Sequence, residues 1–304
     1  GRVAGKIVTA LYFLYFLHDS TVNLLEATSF TMSYLLKGDP VALVVLLISL
    51  VVVYCTKKGL LALGRCVLAV VIVLLSLSAI DFAQALPQMK LENIRPIMTQ
   101  DVSIYTRAAN ICAQLFYSES IILLVLTGRV TANVKFTRSL VIIIGFAVGY
   151  TSLLLLRETL LLGPLVELAR IPSFEAARMI GTATMTVSRT ENLYALVMML
   201  CSAYRVLLSF IASLAALKSI LNLPSYKNLI VPLSLFETMY SLLAFHSPHD
   251  AFYYGIIAAP QVWMIWTLLI PLATLIGAAI RHNKLKPLRD AVQNPSAITQ
   301  GNTA

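Results

Sequence analysis

The chain has 304 residues, of which 59% are hydrophobic and only 12% are charged, and its mean hydropathy is +0.83. An ordinary soluble domain carries about 25% charged residues, and its surface needs polar cover that this sequence lacks. The composition therefore excludes a soluble globular domain and predicts an integral membrane protein. The net charge of +9 does not indicate a nucleic-acid partner, because the basic residues fall singly or in pairs between apolar runs.

Long apolar runs divide the chain into eight predicted spans. About 20 residues are needed to cross the hydrocarbon of a bilayer, and runs this long predict helices rather than barrel strands. The predicted spans are residues 5–36, 40–56, 61–86, 104–127, 136–156, 190–221, 228–246 and 253–280. We predict one transmembrane domain over residues 1–286, followed by a polar, disordered cytoplasmic tail over residues 287–304.

Motifs that carry enzyme or metal chemistry are absent from the sequence. Nucleophile elbows, zinc-protease motifs and phosphate-binding loops do not occur. The four cysteines all lie in apolar stretches without a Cys-x-x-Cys pair; they are Cys55, Cys66, Cys112 and Cys201. We therefore predict that the protein is not an enzyme and has no catalytic residue, no metal site and no cofactor.

The distribution of basic residues indicates the orientation of the chain in the membrane. If the N-terminus is cytoplasmic, the inner segments carry 14 Lys and Arg residues and the outer segments carry 8, with Arg205 inside a span. Cytoplasmic loops are enriched in Lys and Arg, so we predict that both ends are cytoplasmic. Two long loops, residues 87–103 and 157–189, then face outward. The second contains an amphipathic segment, residues 173–180, with Ser173 as its expected N-cap.

Ionisable residues inside the predicted spans are candidates for function, because charges in hydrocarbon are costly and usually face the interior of the bundle. The first span carries a polar stripe on one helical face, which consists of Tyr12, Tyr15, Asp19, Asn23, Glu26 and Ser33. This stripe is either a hydrogen-bonded seam against a neighbouring helix or the wall of a ligand or ion path. The sequence leaves both interpretations open.

The fourth span has a polar centre, residues 114–120, which is unusual for a packed helix. An acid-bearing interruption at mid-depth is typical of a broken helix whose freed backbone groups hold a ligand. The alternative is an intact helix in which Glu119 pairs with Arg205 of the sixth span. With Glu237 as a further deep acid, the candidate ligand-binding residues are Asp19, Glu26, Phe116, Tyr117, Ser118, Glu119, Arg205 and Glu237.

Seven stretches, in this order along the chain, carry a resemblance to a known family: GKIVTALYFLYFL, KKGLLALGRCVLAVVIVL, NIRPIM, QLFYSESIILLVL, FEAARMI, SRTENLYALVMM and NLPSYKNLIVPLSL. Together they resemble the spore germination permease family, the multispanning B subunits of bacterial germinant receptors. The resemblance extends over nearly the whole chain. It depends on the ordered set of stretches, since no single motif is decisive.

The resemblance implies a fold similar to that of LeuT and the amino acid–polyamine–organocation transporters, in which ten helices form two inverted five-helix repeats. On that pattern we expect eight transmembrane helices here, with the first two of the ten missing. The family often has Phe-Gly-Glu at a helix break in this region. The present sequence, Phe116 to Glu119, keeps the acid but has no glycine.

The resemblance also implies a sensor of small nutrients, chiefly amino acids, in the inner membrane of the spore. The implied partners are the lipid bilayer, the A and C subunits of a germinant receptor and a small germinant such as an amino acid. One alternative is an amino acid permease with alternating access, and another is a scaffold that only assembles the complex. Sensor and permease need the same pocket, so the sequence does not separate them.

The predicted orientation is testable by cysteine labelling. After replacement of the four native cysteines by alanine, Lys90→Cys and Lys286→Cys are expected to react with an impermeant maleimide from opposite faces of intact membranes. The physical reason is that residue 90 lies in a predicted outer loop and residue 286 at the predicted cytoplasmic end. Membranes opened with detergent, in which both positions react, are the control. Labelling of both positions from one side contradicts the orientation.

Overall fold

The computed structural model describes residues 2–36, 38–96, 99–127, 136–169, 171–183, 190–245, 250 and 253–280. These residues form helices joined by short turns, and none of them lies in a β-strand. The α-helices are α1 (Arg2–Phe30), α2 (Val41–Lys58), α3 (Leu60–Ala85), α4 (Val102–Tyr117), α5 (Ile122–Thr127), α6 (Phe136–Leu162), α7 (Pro172–Ala183), α8 (Thr190–Ile220), α9 (Ile230–Ala244), α10 (Ala259–Met264) and α11 (Ile270–Ile280). The predicted tail lies outside the described residues.

Several helices expose wide apolar surfaces. Among the described residues, five helical stretches are long and apolar enough to cross a membrane, namely Val41–Lys58, Ala62–Gln88, Arg138–Glu167, Tyr194–Ile220 and Ala259–Gly277. On α6, Ile142 and Ile143 are each 61% exposed and Phe146 is 59% exposed. Soluble proteins rarely expose apolar patches of this extent, whereas lipid tails are as apolar as leucine and cover them. The chain is an integral membrane helical bundle, as its composition predicts.

Three predicted spans, residues 5–36, 104–127 and 228–246, are not among these five stretches. Helix α1 carries the polar stripe, a 3-10 turn separates α4 from α5, and α9 has only 15 residues. That these three segments also cross the bilayer stays a prediction. The count of eight spans, the inverted repeat and the domain boundary at residue 286 stay predictions as well.

Helices α1 and α8 pack against each other along most of their length and form the centre of the bundle. Buried small residues, such as Ser20 on α1 and Ala212 on α8, are at most 1% exposed. Small side chains allow two helix backbones to approach closely. Helices α2 and α9 cover one side of this pair with aliphatic residues, and α10 covers the other with Trp263. The polar stripe of α1 therefore lies in the interior.

Helix α7 packs against α3, α6 and α8. The predicted N-cap, Ser173, is wrong, because the helix begins one residue earlier, at Pro172. Proline suits the first helical position, since its fixed φ matches the helix and its missing N–H would have no helical partner there. The carbonyl of Ile171 accepts the N–H groups of Phe174 and Glu175 at 3.1 and 3.2 Å.

A buried polar network attaches α7 to the bundle. The Arg157 side chain is fully buried, and its Nη1 lies 2.5 Å from Oδ2 of Asp81 on α3. Its Nη2 donates a hydrogen bond of 3.3 Å to the Ser173 carbonyl, and the Ser173 hydroxyl donates to Glu158. One arginine therefore joins α3, α6 and α7.

Replacement of this arginine tests its role in stability. Arg157→Ala is expected to lower the free energy of unfolding by about 3–5 kcal/mol, because it leaves a buried carboxylate without its cation. Arg178→Ala is the control, since Arg178 is 60% exposed and lies 3.7 Å from Glu175; it should cost less than about 1 kcal/mol. Both are measured by unfolding in detergent micelles, followed by circular dichroism. Equal losses in the two variants contradict this interpretation.

Candidate functional site

The polar centre of the fourth predicted span interrupts the helix. Helix α4 ends at Tyr117, which has φ −123° and ψ −6°, and residues Ser118–Ile121 form a 3-10 turn before α5 begins. Serine side chains compete with the backbone for hydrogen bonds, which disfavours a helix interior. In a 3-10 turn, residues three apart lie on the same face, and Ser118 and Ile121 are both buried. Glu119 lies within this turn.

Arg205 of α8 is held by two glutamates from different elements. Its Nε donates to Oε1 of Glu119 at 2.8 Å, and its Nη1 donates to Oε2 of Glu26 at 3.0 Å. The three side chains are 34%, 21% and 15% exposed, in the order Arg205, Glu119 and Glu26. The interruption and the Glu119–Arg205 pair, which the sequence presented as alternatives, therefore occur together. Arg205 links α8 to α1 and to the 3-10 turn.

Asp19 and Asn23 of α1 continue this network into the bundle. Oδ2 of Asp19 accepts a hydrogen bond of 2.6 Å from the Ser209 hydroxyl on α8. Nδ2 of Asn23 donates to the same Asp19 oxygen at 3.3 Å and to Oε1 of Glu119 at 3.0 Å. Asp19 is 1% exposed and Asn23 is 2% exposed. We call the five residues Asp19, Asn23, Glu26, Glu119 and Arg205 the charged cluster.

The remaining predicted ligand-binding residues have different positions. Glu237 is buried on α9 beside Ser20, and it is not one of the two acids that pair with Arg205. Ser118 is buried and Tyr117 is half-buried, both next to Glu119 in the chain. The side chain of Phe116 lies outside the described part of the structure. The structure thus brings together Asp19, Glu26, Glu119 and Arg205. Glu237 lies on α9 and does not pair with Arg205.

Two members of the network were not among the predicted ligand-binding residues. Asn23 lies four residues after Asp19 and three before Glu26, so its position in the stripe was a usable signal. Ser209 lies four residues after Arg205 on the same face of α8, which was a signal of the same kind, although nothing in the sequence pairs it with Asp19. His18 also contacts other helices, since its ring nitrogens lie 3.1 and 3.0 Å from the hydroxyls of Tyr240 and Tyr254.

A cavity of about 310 Å³ lies between α1, α5 and α8. None of the charged cluster is among its lining residues, but two of those residues are close to the cluster along the chain, since Phe16 is three residues before Asp19 and Ile121 is two after Glu119. Its wall is mostly apolar and consists of Thr9, Tyr12, Phe16, Ile121, Val125, Ala215, Ala216 and Ser219. The volume is at the lower end of the range for small-molecule sites.

A bundle of apolar helices with a charged cluster at a helix interruption defines a multispanning membrane protein with an internal polar site. A family model described as spore germination protein matches residues 1–249. The chain belongs to this family, the spore germination permeases, and the resemblance seen in the sequence is confirmed. Comparison with curated proteins and with solved structures gave no match.

The geometry of Arg205 is testable by a conservative substitution. Arg205→Lys is expected to lower the free energy of unfolding by about 1.5–3 kcal/mol, because one ammonium group does not reach the positions of both Nε and Nη1. Arg178→Lys, at an exposed arginine on α7, is the matched control and should leave stability unchanged. Thermal unfolding in detergent micelles measures both variants. An Arg205→Lys protein as stable as the wild type would show that the two-carboxylate contact does not contribute.

Proposed function

We propose that this protein is the membrane-embedded sensing subunit of a spore germination receptor and that its germinant is an amino acid. The observation that carries the proposal is the position of Arg205, whose guanidinium is held by Glu26 of α1 and Glu119 of the 3-10 turn. A charged group inside a membrane bundle marks a functional site by default. Family membership supports the germination context.

A zwitterionic ligand matches this cluster because it carries both kinds of charge. Its carboxylate competes with Glu26 and Glu119 for Arg205, and its ammonium group binds the carboxylates that are released. Truncation of one partner in a desolvated charged pair costs about 2–5 kcal/mol. The free energy lost when an internal ion pair of Arg205 breaks is therefore comparable to the free energy gained when the ligand takes its place.

The exchange also explains how binding produces a signal. Arg205 connects three elements, namely α1, α8 and the 3-10 turn between α4 and α5. When the ligand replaces one of these contacts, the element that loses it is free to shift. The turn that carries Glu119 has only four residues, and the hydrogen-bond geometry of a 3-10 helix is poorer than that of an α-helix. We propose that displacement of this turn starts the response.

We propose that the cavity, whose wall includes Phe16 and Ile121 near the cluster in the chain, receives the ligand side chain. Its wall is apolar apart from a few hydroxyl groups, and the Tyr12 hydroxyl donates to the Trp266 carbonyl at 3.1 Å. An apolar side chain buried there gains about 25 cal/mol for each Å² removed from water. We therefore propose an amino acid with an apolar side chain. The same proposal includes the A and C subunits of the receptor as partners, the spore inner membrane as the location, and a cytoplasmic position for both ends of the chain.

The alternative function is an amino acid permease with alternating access. The interrupted helix favours it, because half-helices beside a mid-membrane site are common in transporters. Uptake of a labelled amino acid into vesicles containing the purified chain distinguishes the two functions. Uptake above that of protein-free vesicles supports the permease, and binding without uptake supports the sensor.

The sensor proposal is tested by Glu119→Gln in spores. This substitution removes one charge from the cluster and is expected to raise the germinant concentration for half-maximal response at least tenfold. The estimate follows from a loss of about 2–5 kcal/mol, which corresponds to roughly 30- to 4,000-fold in affinity. Dose–response curves are measured beside immunoblots of the spore membrane.

Glu92→Gln is the matched control, because Glu92 is an exposed acid in the short 3-10 helix Leu91–Ile94; its dose–response curve should equal that of the wild type. Protein abundance distinguishes a structural role of Glu119 from a role in sensing. If Glu119→Gln lowers protein abundance without a shift in midpoint, the Glu119–Arg205 pair only stabilises the bundle. An unchanged midpoint at unchanged abundance removes Glu119 from the ligand site.

A further inference from the structure

We propose that Asp19 and Asn23 form a binding site for a small monovalent cation, which is either a free alkali-metal ion or the ammonium group of the ligand. This inference rests on the proposed function in one respect, since both use the charged cluster. It assigns a chemical class of ligand to two oxygen atoms that the ion pairs of Arg205 leave unused.

The first observation is a pair of buried oxygen atoms without partners. Within the described part of the chain, Oδ1 of Asp19 and Oδ1 of Asn23 have no hydrogen-bond partner, although both residues are at least 98% buried. Nearly all buried polar atoms in native proteins are hydrogen-bonded, so each exception needs an explanation. Here two exceptions occur one helical turn apart on the same face of α1.

The orientation of the Asn23 amide is fixed by its neighbours. Its nitrogen donates to Asp19 at 3.3 Å and to Glu119 at 3.0 Å, and both acceptors are carboxylate oxygens. The reversed amide would place an acceptor oxygen against two carboxylates and repel both. The atom without a partner is therefore the amide oxygen, which is a ligand for cations and an acceptor for ammonium groups.

The second observation is a deficit of positive charge. The charged cluster contains three carboxyl groups, on Asp19, Glu26 and Glu119, and one guanidinium. Arg205 pairs with the two glutamates, while the hydrogen-bond donors to Asp19 are the neutral groups of Ser209 and Asn23. Buried charges are normally paired with an opposite charge or bound to a metal ion. With all three carboxylates ionised, the cluster has two uncompensated negative charges, and a monovalent cation at Asp19 neutralises one of them.

The available ligands favour a small, hard cation. Carboxylate and amide oxygens bind alkali and alkaline-earth ions, and they also accept hydrogen bonds from an ammonium group. Ser209 donates its proton to Asp19 at 2.6 Å, so its oxygen keeps free lone pairs beside the site. Both orphan oxygens are closed to solvent. Choline serves as the reference cation, because its quaternary ammonium has no N–H to donate and its charge is surrounded by methyl groups.

The experiment measures the thermal unfolding midpoint of the purified full chain in detergent micelles. Sodium chloride, potassium chloride and methylammonium chloride are each compared with choline chloride at equal ionic strength. A ligand that binds only the folded protein raises the midpoint, on the order of 5 °C at a hundred times its Kd. We expect at least one of the three salts to produce a saturable rise.

The three salts also distinguish the two sources of the cation. A response to sodium or potassium identifies a free metal ion. A response to methylammonium alone identifies the ammonium group of the ligand, in which case L-alanine should stabilise the protein and propionate, which lacks the amine, should not. If none of the three cations shifts the wild-type midpoint, the proposal is wrong. If acidification alone raises it, a proton neutralises Asp19 and the proposal is also wrong.

Two substitutions locate the response. Asp19→Asn keeps the size of the side chain but removes its charge, and it is expected to abolish the cation response. Glu158→Gln, at a buried acid on α6 outside the charged cluster, should keep the response. If Asp19→Asn does not fold, Asn23→Leu is expected to raise the cation concentration for half-maximal stabilisation at least tenfold.

A wild-type response in both Asp19→Asn and Asn23→Leu overturns the assignment. The thermal unfolding midpoint is measured on the purified protein and does not depend on a germination response. A stabilising cation together with an unchanged dose–response curve for Glu119→Gln would keep the cation site while refuting the proposed ligand site.

Discussion

The cost of placing a guanidinium inside a membrane protein organises the centre of this bundle. Arg205 lies on α8, and the two carboxylates that neutralise it come from α1 and from the turn after α4. Removal of either contact leaves a poorly solvated charge, which is far more expensive in a membrane than in water. Close packing of α1 against α8, with small side chains between them, keeps the charges within hydrogen-bond distance.

The interruption of the fourth predicted span follows the same requirement. A 3-10 turn advances by about 120° per residue, whereas an α-helix advances by about 100°. The change in rotation places Ser118 and Ile121 on the buried side while Glu119 reaches both Asn23 and Arg205. The site therefore depends on local backbone geometry as much as on the identity of the acid.

Much of the bundle and part of the site were predictable from the sequence. Apolar runs are a one-dimensional property, so the sequence alone predicts a membrane helical bundle and the polar face of α1. The depth of Glu119 and Arg205 in their spans likewise made their pairing one of two alternatives that the sequence left open. Depth does not determine which side of a bundle a residue faces, and this is why Glu237 was grouped with residues that it does not pair with.

Contacts that depend on how closely two helices approach each other could not be predicted from the sequence. The second carboxylate on Arg205, the hydrogen bond from Ser209 to Asp19 and the contacts of His18 each join residues more than 170 positions apart. The prediction of Ser173 as the N-cap of α7 was wrong for a local reason, because Pro172, the residue before it, already fits the first helical position. Local propensity and tertiary packing thus account for different errors.

Besides its packing against α3, α6 and α8, helix α7 makes two side-chain attachments from its first turn, and they lead to different parts of the molecule. Ser173 joins it to α6 through Glu158 and Arg157. On the other flank, the ring of Phe174 lies 4.3 Å from that of Tyr34, whose hydroxyl donates to Glu175 at 3.4 Å. Tyr34 lies in the π-helical turn Thr31–Leu35, which directly follows α1, the helix that carries Asp19 and Glu26.

Both attachments lie in the first turn of α7, at residues 173 to 175, while the later residues Ala176 and Ile180 are buried against α3 and α6. The first turn of α7 therefore connects α6 to the end of α1. A relative shift of these two elements has to break at least one of the contacts of that turn, so the turn couples their positions.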